Sequence, residues 1–217
     1  MELEANQHAE PAHQSGYARR APLVLASASP RRLELLRGAG FDPEVEPADI
    51  DDGSLILGKV GAAATAASLA YFKARRVAGV RARRGAPPAW ILAADTVCER
   101  DGGVIGKPAN RDDARRMILS LARRRHGVVT GWCLLAPSGA SDMGRDTATV
   151  EIGELDHAEL ERFLTENRWE GKAGGYNLTE VVARGWPVRC EGDPHTVVGL
   201  PLAQVAPVLR RALGGTG

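Results

Sequence analysis

Apolar positions along this chain fall into two alternating rhythms. Short, largely apolar runs, Leu23 to Ala26, Trp90 to Ala94 and Val128 to Leu135, have the length and bounds of buried strands. Between them, apolar residues return every three or four positions, as in amphipathic helices. The first helix opens at Arg31 and Arg32, carries Leu33, Leu35 and Leu36 on its apolar side, and stops at Gly38 and Gly40. An alanine-rich helix over 60–78 turns Leu69, Phe72 and Val77 inward. A third, from an Asn110/Asp113 capping pair to Leu121, buries Ala114, Met117, Ile118 and Leu121. A fourth opens at Asp156 and Glu159 and buries Leu160, Phe163 and Leu164. The last starts at Pro201 with Leu202, Val205, Ala206 and Leu209 inside, and Pro207 kinks or shortens it. Thr147 to Ile152 alternates as a strand with one wet face, and Val181 to Ala183 and Val188 to Cys190 read as short strands. Arg81 to Pro88 and Pro137 to Gly144 read as loops. Strands and helices alternate without a repeat, which predicts an α/β protein with a mixed sheet.

The junctions between these elements carry the chemistry. Ser27, Ala28, Ser29 and Pro30 turn the first strand into the first helix. Such a turn presents backbone N–H groups and a positive helix end, and Arg31 and Arg32 add fork-shaped donors suited to phosphate oxygens. Ser29-Pro30 is also an ordinary helix start, but arginines in a first turn oppose the helix dipole. Asp95 closes the Trp90 run, at the end of a buried strand where sites tend to lie in α/β proteins. A hairpin through Asp101-Gly102-Gly103 then brings Lys107 back towards Asp95. Asp49, Asp51 and Asp52 form an acidic cluster that suits either a divalent cation or a solvated turn. Gly171 to Tyr176 is a second glycine-rich loop, carrying Lys172 and open to close approach by a ligand. Lys73, on spacing alone, is a surface charge.

Composition narrows the classes. The chain has 217 residues, enough for one domain with a sizeable core. Its net charge is +1, so no bulk field draws it to nucleic acid or membrane. The arginine groups at 81–84 and 123–125 read as solvated helix ends, without the interleaved aromatics of a base-stacking surface. Cys98, Cys133 and Cys190 make no metal or redox spacing and suit buried thiols in a reducing cytoplasm. The first 20 residues are polar, unlike a signal peptide, and no run reaches membrane-span length. Residues 1–20 and the final glycines are expected as loose tails around a single domain over 21–213.

Four blocks together resemble the Maf family of nucleoside triphosphate pyrophosphatases. They are Leu25-Ala26-Ser27-Ala28-Ser29-Pro30-Arg31-Arg32; Ala94-Asp95-Thr96-Val97 with Gly106-Lys107-Pro108; Val128-Val129-Thr130-Gly131; and Lys172-Ala173-Gly174-Gly175-Tyr176 followed by Val197-Val198-Gly199-Leu200-Pro201. The resemblance implies an elongated mixed sheet flanked by helices, with a cleft between two lobes. It implies hydrolysis of a nucleoside triphosphate to monophosphate and pyrophosphate, with Mg²⁺ or Mn²⁺. Asp95 then matches the proposed proton acceptor, acting with Lys107. Ser27, Arg31, Arg32 and Lys73 match triphosphate contacts, and Asp52, with Asp95, matches a position that helps hold metal or water. Relatives are often dimers, although no dimer surface is legible here.

Specificity markers divide. Arg31 and Thr96 match the family's dTTP/UTP branch, but its usual glutamine is replaced by Thr179, followed by Glu180. Asn177-Leu178-Thr179-Glu180 is atypical for that branch and for the branch acting on 7-methyl-GTP. The competing expectation is a nucleotide-binding regulator of cell division with little catalysis; the presence of Arg31, Arg32, Asp95 and Lys107 argues for the enzyme.

Overall fold

A computed structural model describes residues 21–50 and 60–214. The expected N-terminal tail, Asp51, Asp52 and the last three residues lie outside the described residues. Within them the chain forms β1 (Leu23–Leu25), α1 (Pro30–Gly38), β2 (Glu44–Val45), α2 (Ala62–Arg83), β3 (Trp90–Arg100), β4 (Gly103–Ile105) and α3 (Arg111–Leu121). It continues through β5 (Arg124–Leu135), β6 (Ser141–Ile152), α4 (His157–Thr165), α5 (Leu178–Ala183), β7 (Val188–Glu191), α6 (Pro194–Val198) and α7 (Leu202–Ala212). The strands form one mixed sheet in the order β2-β1-β3-β5-β6-β7, with β4 also on β3. No helix among the described residues is long and apolar enough to cross a membrane.

The edge of β3 positions the site. On one side β3 pairs along its length with antiparallel β5. On the other, β1 runs parallel to Trp90–Leu92, and β4 returns antiparallel to Cys98–Arg100. Between these two neighbours, residues 93–97 have no strand beside them among the described residues, so the sheet opens into a gap. The β3–β4 turn is the expected tight hairpin: Asp101 and Gly102 both have positive φ, 53° and 76°.

Buried clusters lie on both faces of the sheet beside that gap, one of them made by Val97 and Val129 with Ala62 and Ala66 of α2. On one face, Leu23, Leu25, Leu92 and Trp132 pack under α1 and α7. Further along the same face, Cys98, Val128 and Val150 pack under α3, α4 and α5. The opposite face, with Ala93, Ile91 and Cys133, lies under α2. α2 approaches unusually closely because its inner stripe is Ala62, Ala66, Ala70 and Ala74 and because β5 offers Gly131. A Cβ on Gly131 would lie 2.4 Å from the backbone of Ala66 and Ala67.

Several sequence expectations are corrected. Asp95 lies in the middle of an eleven-residue strand, not at its end. Val181 to Ala183 is helical, because Asn177 caps it by accepting from the Glu180 N–H. β6 starts at Ser141, shortening the loop after Leu135. α2 runs on to Arg83, and Arg81 is buried against Glu44 and Glu46 instead of lying in an exposed loop. Arg124 and Arg125 belong to β5, not to a helix end. Phe72 points outward, 44% exposed. The capping pairs Asn110/Asp113 and Asp156/Glu159 form as read. Pro207 is accommodated inside α7, which continues to Ala212.

Two predictions follow from this packing. Gly131→Ala should destabilise by about 3 kcal/mol or more, since helix backbone cannot rotate aside. Gly127→Ala, whose added carbon has Glu99 side-chain atoms as its nearest neighbours, should cost about 1 kcal/mol or less. Equal denaturant midpoints for the two would show that α2 is not seated on bare backbone. The second concerns His126, which is buried and sits 2.6 Å from the Tyr176 hydroxyl. Burial pushes its imidazole down from 6.5 to about 4 and raises the Tyr176 phenol, so the phenol donates to neutral Nε2. The unfolded chain therefore binds the extra proton first as pH falls. Stability is whole above pH 6.5 and declines towards pH 4, by about 2 kcal/mol at pH 5. Urea titrations of wild type and His126→Gln at pH 7 and pH 5 should show a smaller loss in the variant.

Candidate active site

The gap beside β3 is the floor of a cleft of about 410 Å³, within the range of small-ligand sites. The turn after β1 forms one wall. Ser29 holds the N-cap position of α1, yet its side chain makes no capping bond, and the first helical turn contains no acid. Ser27, nearly buried, instead accepts from the Ser29 N–H at 3.2 Å and from Arg32 Nη1 at 2.9 Å. The positive end of α1 is thus left uncompensated by any side chain of its own first turn. Arg31 lines the cleft, and its Nε is buried without a hydrogen-bond partner among the described residues. An orphaned cationic donor of this kind is costly until an anion accepts from it.

Arg32 is held on three sides. Besides Ser27, it donates Nε to the Gly199 carbonyl at 2.8 Å and Nη2 to Thr96 Oγ1 at 3.3 Å. Gly199 ends α6 with φ 117°, and a Cβ there would lie 3.2 Å from both Arg32 Nε and Thr96 Oγ1. Only glycine suits this close crossing.

Across the floor, Asp95 pairs with Lys73 of α2, Nζ to Oδ1 at 2.5 Å, with side chains only 9% and 12% exposed. Position 73 lies four residues from both Leu69 and Val77, on the buried stripe of α2. The inward place expected for Phe72 is therefore filled by a lysine. Lys107 reaches the same cleft after β4, and the Gly174 N–H donates to the Gly106 carbonyl at 3.0 Å, clipping that segment to the glycine-rich loop. Lys73 thus pairs directly with Asp95, in the cleft that Lys107 also lines.

The far wall combines Cys98, Val128, Ala173, Tyr176, Leu178 and Val197 with the polar Lys172 and Asn177. Burial raises the Cys98 thiol to about 12, so it lines the cleft as an unreactive group. The arrangement brings cations, helix-end donors, a carboxylate and a partly apolar wall into one cleft.

A family model described as Maf-like protein matches residues 22–212. The chain belongs to the Maf-like family. It is similar to a dTTP/UTP pyrophosphatase of Paramagnetospirillum magneticum, with 40% identity over 87% of this chain and 96% of that protein. Proteins of the same description from Koribacter versatilis and Salinibacter ruber share 37% and 38% identity over 88% and 87% of this chain, covering 94% and 90% of their own lengths.

Among the site residues of this Maf-like chain read from sequence, the fold brings Ser27, Arg31, Arg32, Lys73, Asp95, Thr96 and Lys107 to one cleft. Asp52 lies outside the described residues. Thr179 is exposed in the first turn of α5, outside the cleft lining, where Asn177 and Leu178 take part. Glu180 turns to Lys172, at 2.5 Å, and to Arg168 at 3.2 Å. Sequence reading missed that ion pair and also a row of buried hydroxyls behind Arg32, Thr130 and Thr196. A threonine inside the Val128 to Leu135 run was the available signal.

Lys73→Met should leave Asp95 without its counter-ion and destabilise by about 1–3 kcal/mol, less than for a fully buried pair because the cleft admits water. The double variant Lys73→Met/Asp95→Asn should recover part of that loss in chemical denaturation.

Proposed function

We propose that the protein is a nucleoside triphosphate pyrophosphatase that opens the α–β phosphoanhydride to yield a monophosphate and pyrophosphate, with dTTP or UTP preferred. One observation carries the reading: the orphaned Arg31 donor and the bare α1 N-terminus face the same cleft as the Lys73–Asp95 pair. The relatives named above support the substrate class, and Arg31 and Thr96 agree with the dTTP/UTP branch.

The triphosphate would lie along the cationic end, with the Arg31 and Arg32 guanidiniums, α1 backbone donors and Lys107 meeting its charge. Water attacks phosphorus while charge builds on the phosphate oxygens and the leaving pyrophosphate. Fixed cations aimed at that charge lower the barrier most. Asp95 orients the attacking water and accepts its proton, while Lys73 holds the carboxylate in place through Oδ1. The slot lined by Cys98, Val128 and Leu178 receives the base.

A divalent cation fits this donor set. Mg²⁺ is commonly held by one or two carboxylates together with substrate phosphates, and Asp95 supplies one carboxylate beside the phosphate end. No cluster of three or more metal-ligating side chains exists among the described residues, so substrate oxygens and water would complete the shell. When bound, the cation would neutralise phosphate charge and polarise water. The three free thiols suit a reducing compartment, and we place the protein in the cytoplasm.

The test is a panel of nucleoside triphosphates with Mg²⁺ or Mn²⁺, separating pyrophosphate from orthophosphate. Pyrophosphate release fastest from dTTP or UTP is the expected result, and orthophosphate as first product would refute it. Asp95→Asn should reduce kcat by about 100-fold or more with the fold retained, whereas Arg31→Ala should act mainly on KM.

A further inference from the structure

Behind Arg32 runs a line of hydroxyls that crosses the sheet. Thr96, Thr130 and Asp146 are register partners on β3, β5 and β6. Thr130 is fully buried and stands on one face between Val128, in the α3–α4–α5 core, and Trp132, in the α1–α7 core. Its Oγ1 lies 2.6 Å from the Thr196 carbonyl and 2.8 Å from Thr96 Oγ1. A carbonyl only accepts, so the single Thr130 proton goes to Thr196. Thr96 must then donate to Thr130, and the lone pairs of Thr96 are left to accept from Arg32 Nη2. The direction of every bond in the line is therefore set, each one polarising the next.

Thr130 reaches Arg32 by a second route. It holds Thr196 within α6, and α6 ends at Gly199, whose carbonyl takes Arg32 Nε. The Thr196 side chain is tied in turn to Asp146 at 2.5 Å, which Gln204 also contacts.

We propose that Thr130 is a positioning residue: through Thr96 and through the end of α6, its hydroxyl fixes the plane of the Arg32 guanidinium at the phosphate end of the cleft. Thr96 has its proton committed to Thr130 and so acts on Arg32 and not by donating to the base. The inference rests on the phosphate role assigned to Arg32 under the proposed function.

Valine matches threonine in shape but strands the Thr96 hydroxyl and the Thr196 carbonyl. Thr130→Val should lower kcat/KM for pyrophosphate release by about 10–100-fold, the usual span for a bond that orders a charged group. Thr130→Ser should restore most of it. In an Arg32→Ala background Thr130→Val should cost nothing further, since both act through one guanidinium. Wild-type kcat/KM in Thr130→Val, or costs that add in the double variant, would overturn the proposal. An arm without substrate follows the Arg32 Nε–H signal in ¹⁵N spectra of the unliganded protein. That proton should be protected from solvent exchange in wild type and Thr130→Ser, and lose protection in Thr130→Val; unchanged protection would also overturn it. This arm decides the inference even if no nucleotide is turned over, an outcome that would sink the proposed function instead. Should Thr130→Val not fold, Thr96→Val breaks the same line and is read in the same two ways.

Discussion

An acid buried in the middle of a strand is held in place here by a helix lying almost on the sheet backbone. Asp95 faces α2, and its register partner on β5 is Gly131, where no side chain keeps the helix away. Alanines along the inner stripe of α2 allow the same closeness from the other side. The approach brings Lys73 within a hydrogen bond of Asp95. A side chain at 131, or larger residues at 66 and 70, would push the lysine out and leave a carboxylate in a poorly solvated place. The ion pair thus rests on small residues elsewhere.

The gap in the sheet edge is the second condition. Because β1 stops after Leu25 and β4 begins to pair only at Cys98, the β3 edge between them faces a cleft instead of another strand. Both faces of the sheet reach that opening: Asp95 from the α2 side, Thr96 from the side of α1 and α6. The polar row Thr96–Thr130–Asp146 also separates the two cores on the second face. Burying hydroxyls between apolar clusters is tolerable because hydrogen bonds satisfy them, from β3 to β5 and then through Thr196 of α6 to β6.

Much of this was legible in the sequence. The turn at Ser27 to Arg32, the hairpin at Asp101-Gly102 and the capped helices at Asn110 and Asp156 are governed by local chemistry, and they formed as read. Elements whose identity depends on distant partners were less legible. Val181 to Ala183 has strand-like residues, but the Asn177 cap makes it helical. Phe72 is apolar yet exposed, while Lys73 is charged yet inward, because helix phase and the alanine stripe outweigh side-chain polarity at those positions. Asp95 was found without its partner, since a lysine on a helix says nothing by itself about a carboxylate 22 residues later. The role of Thr179 rested on resemblance alone, and the chain places it at an exposed helix turn.

The two ends of the cleft are made of different material. The charged end is tied into strands and the long α2, whereas the opposite wall is a loop with three left-handed glycines followed by a helix of six residues. Tyr176, Leu178 and Val181 anchor that wall in the core of the sheet, whereas Gly171 and Thr179 are exposed. Under the function proposed above, substitutions at those exposed positions leave the Lys73–Asp95 pair in place, so selectivity for the base and cleavage of the anhydride are free to vary apart.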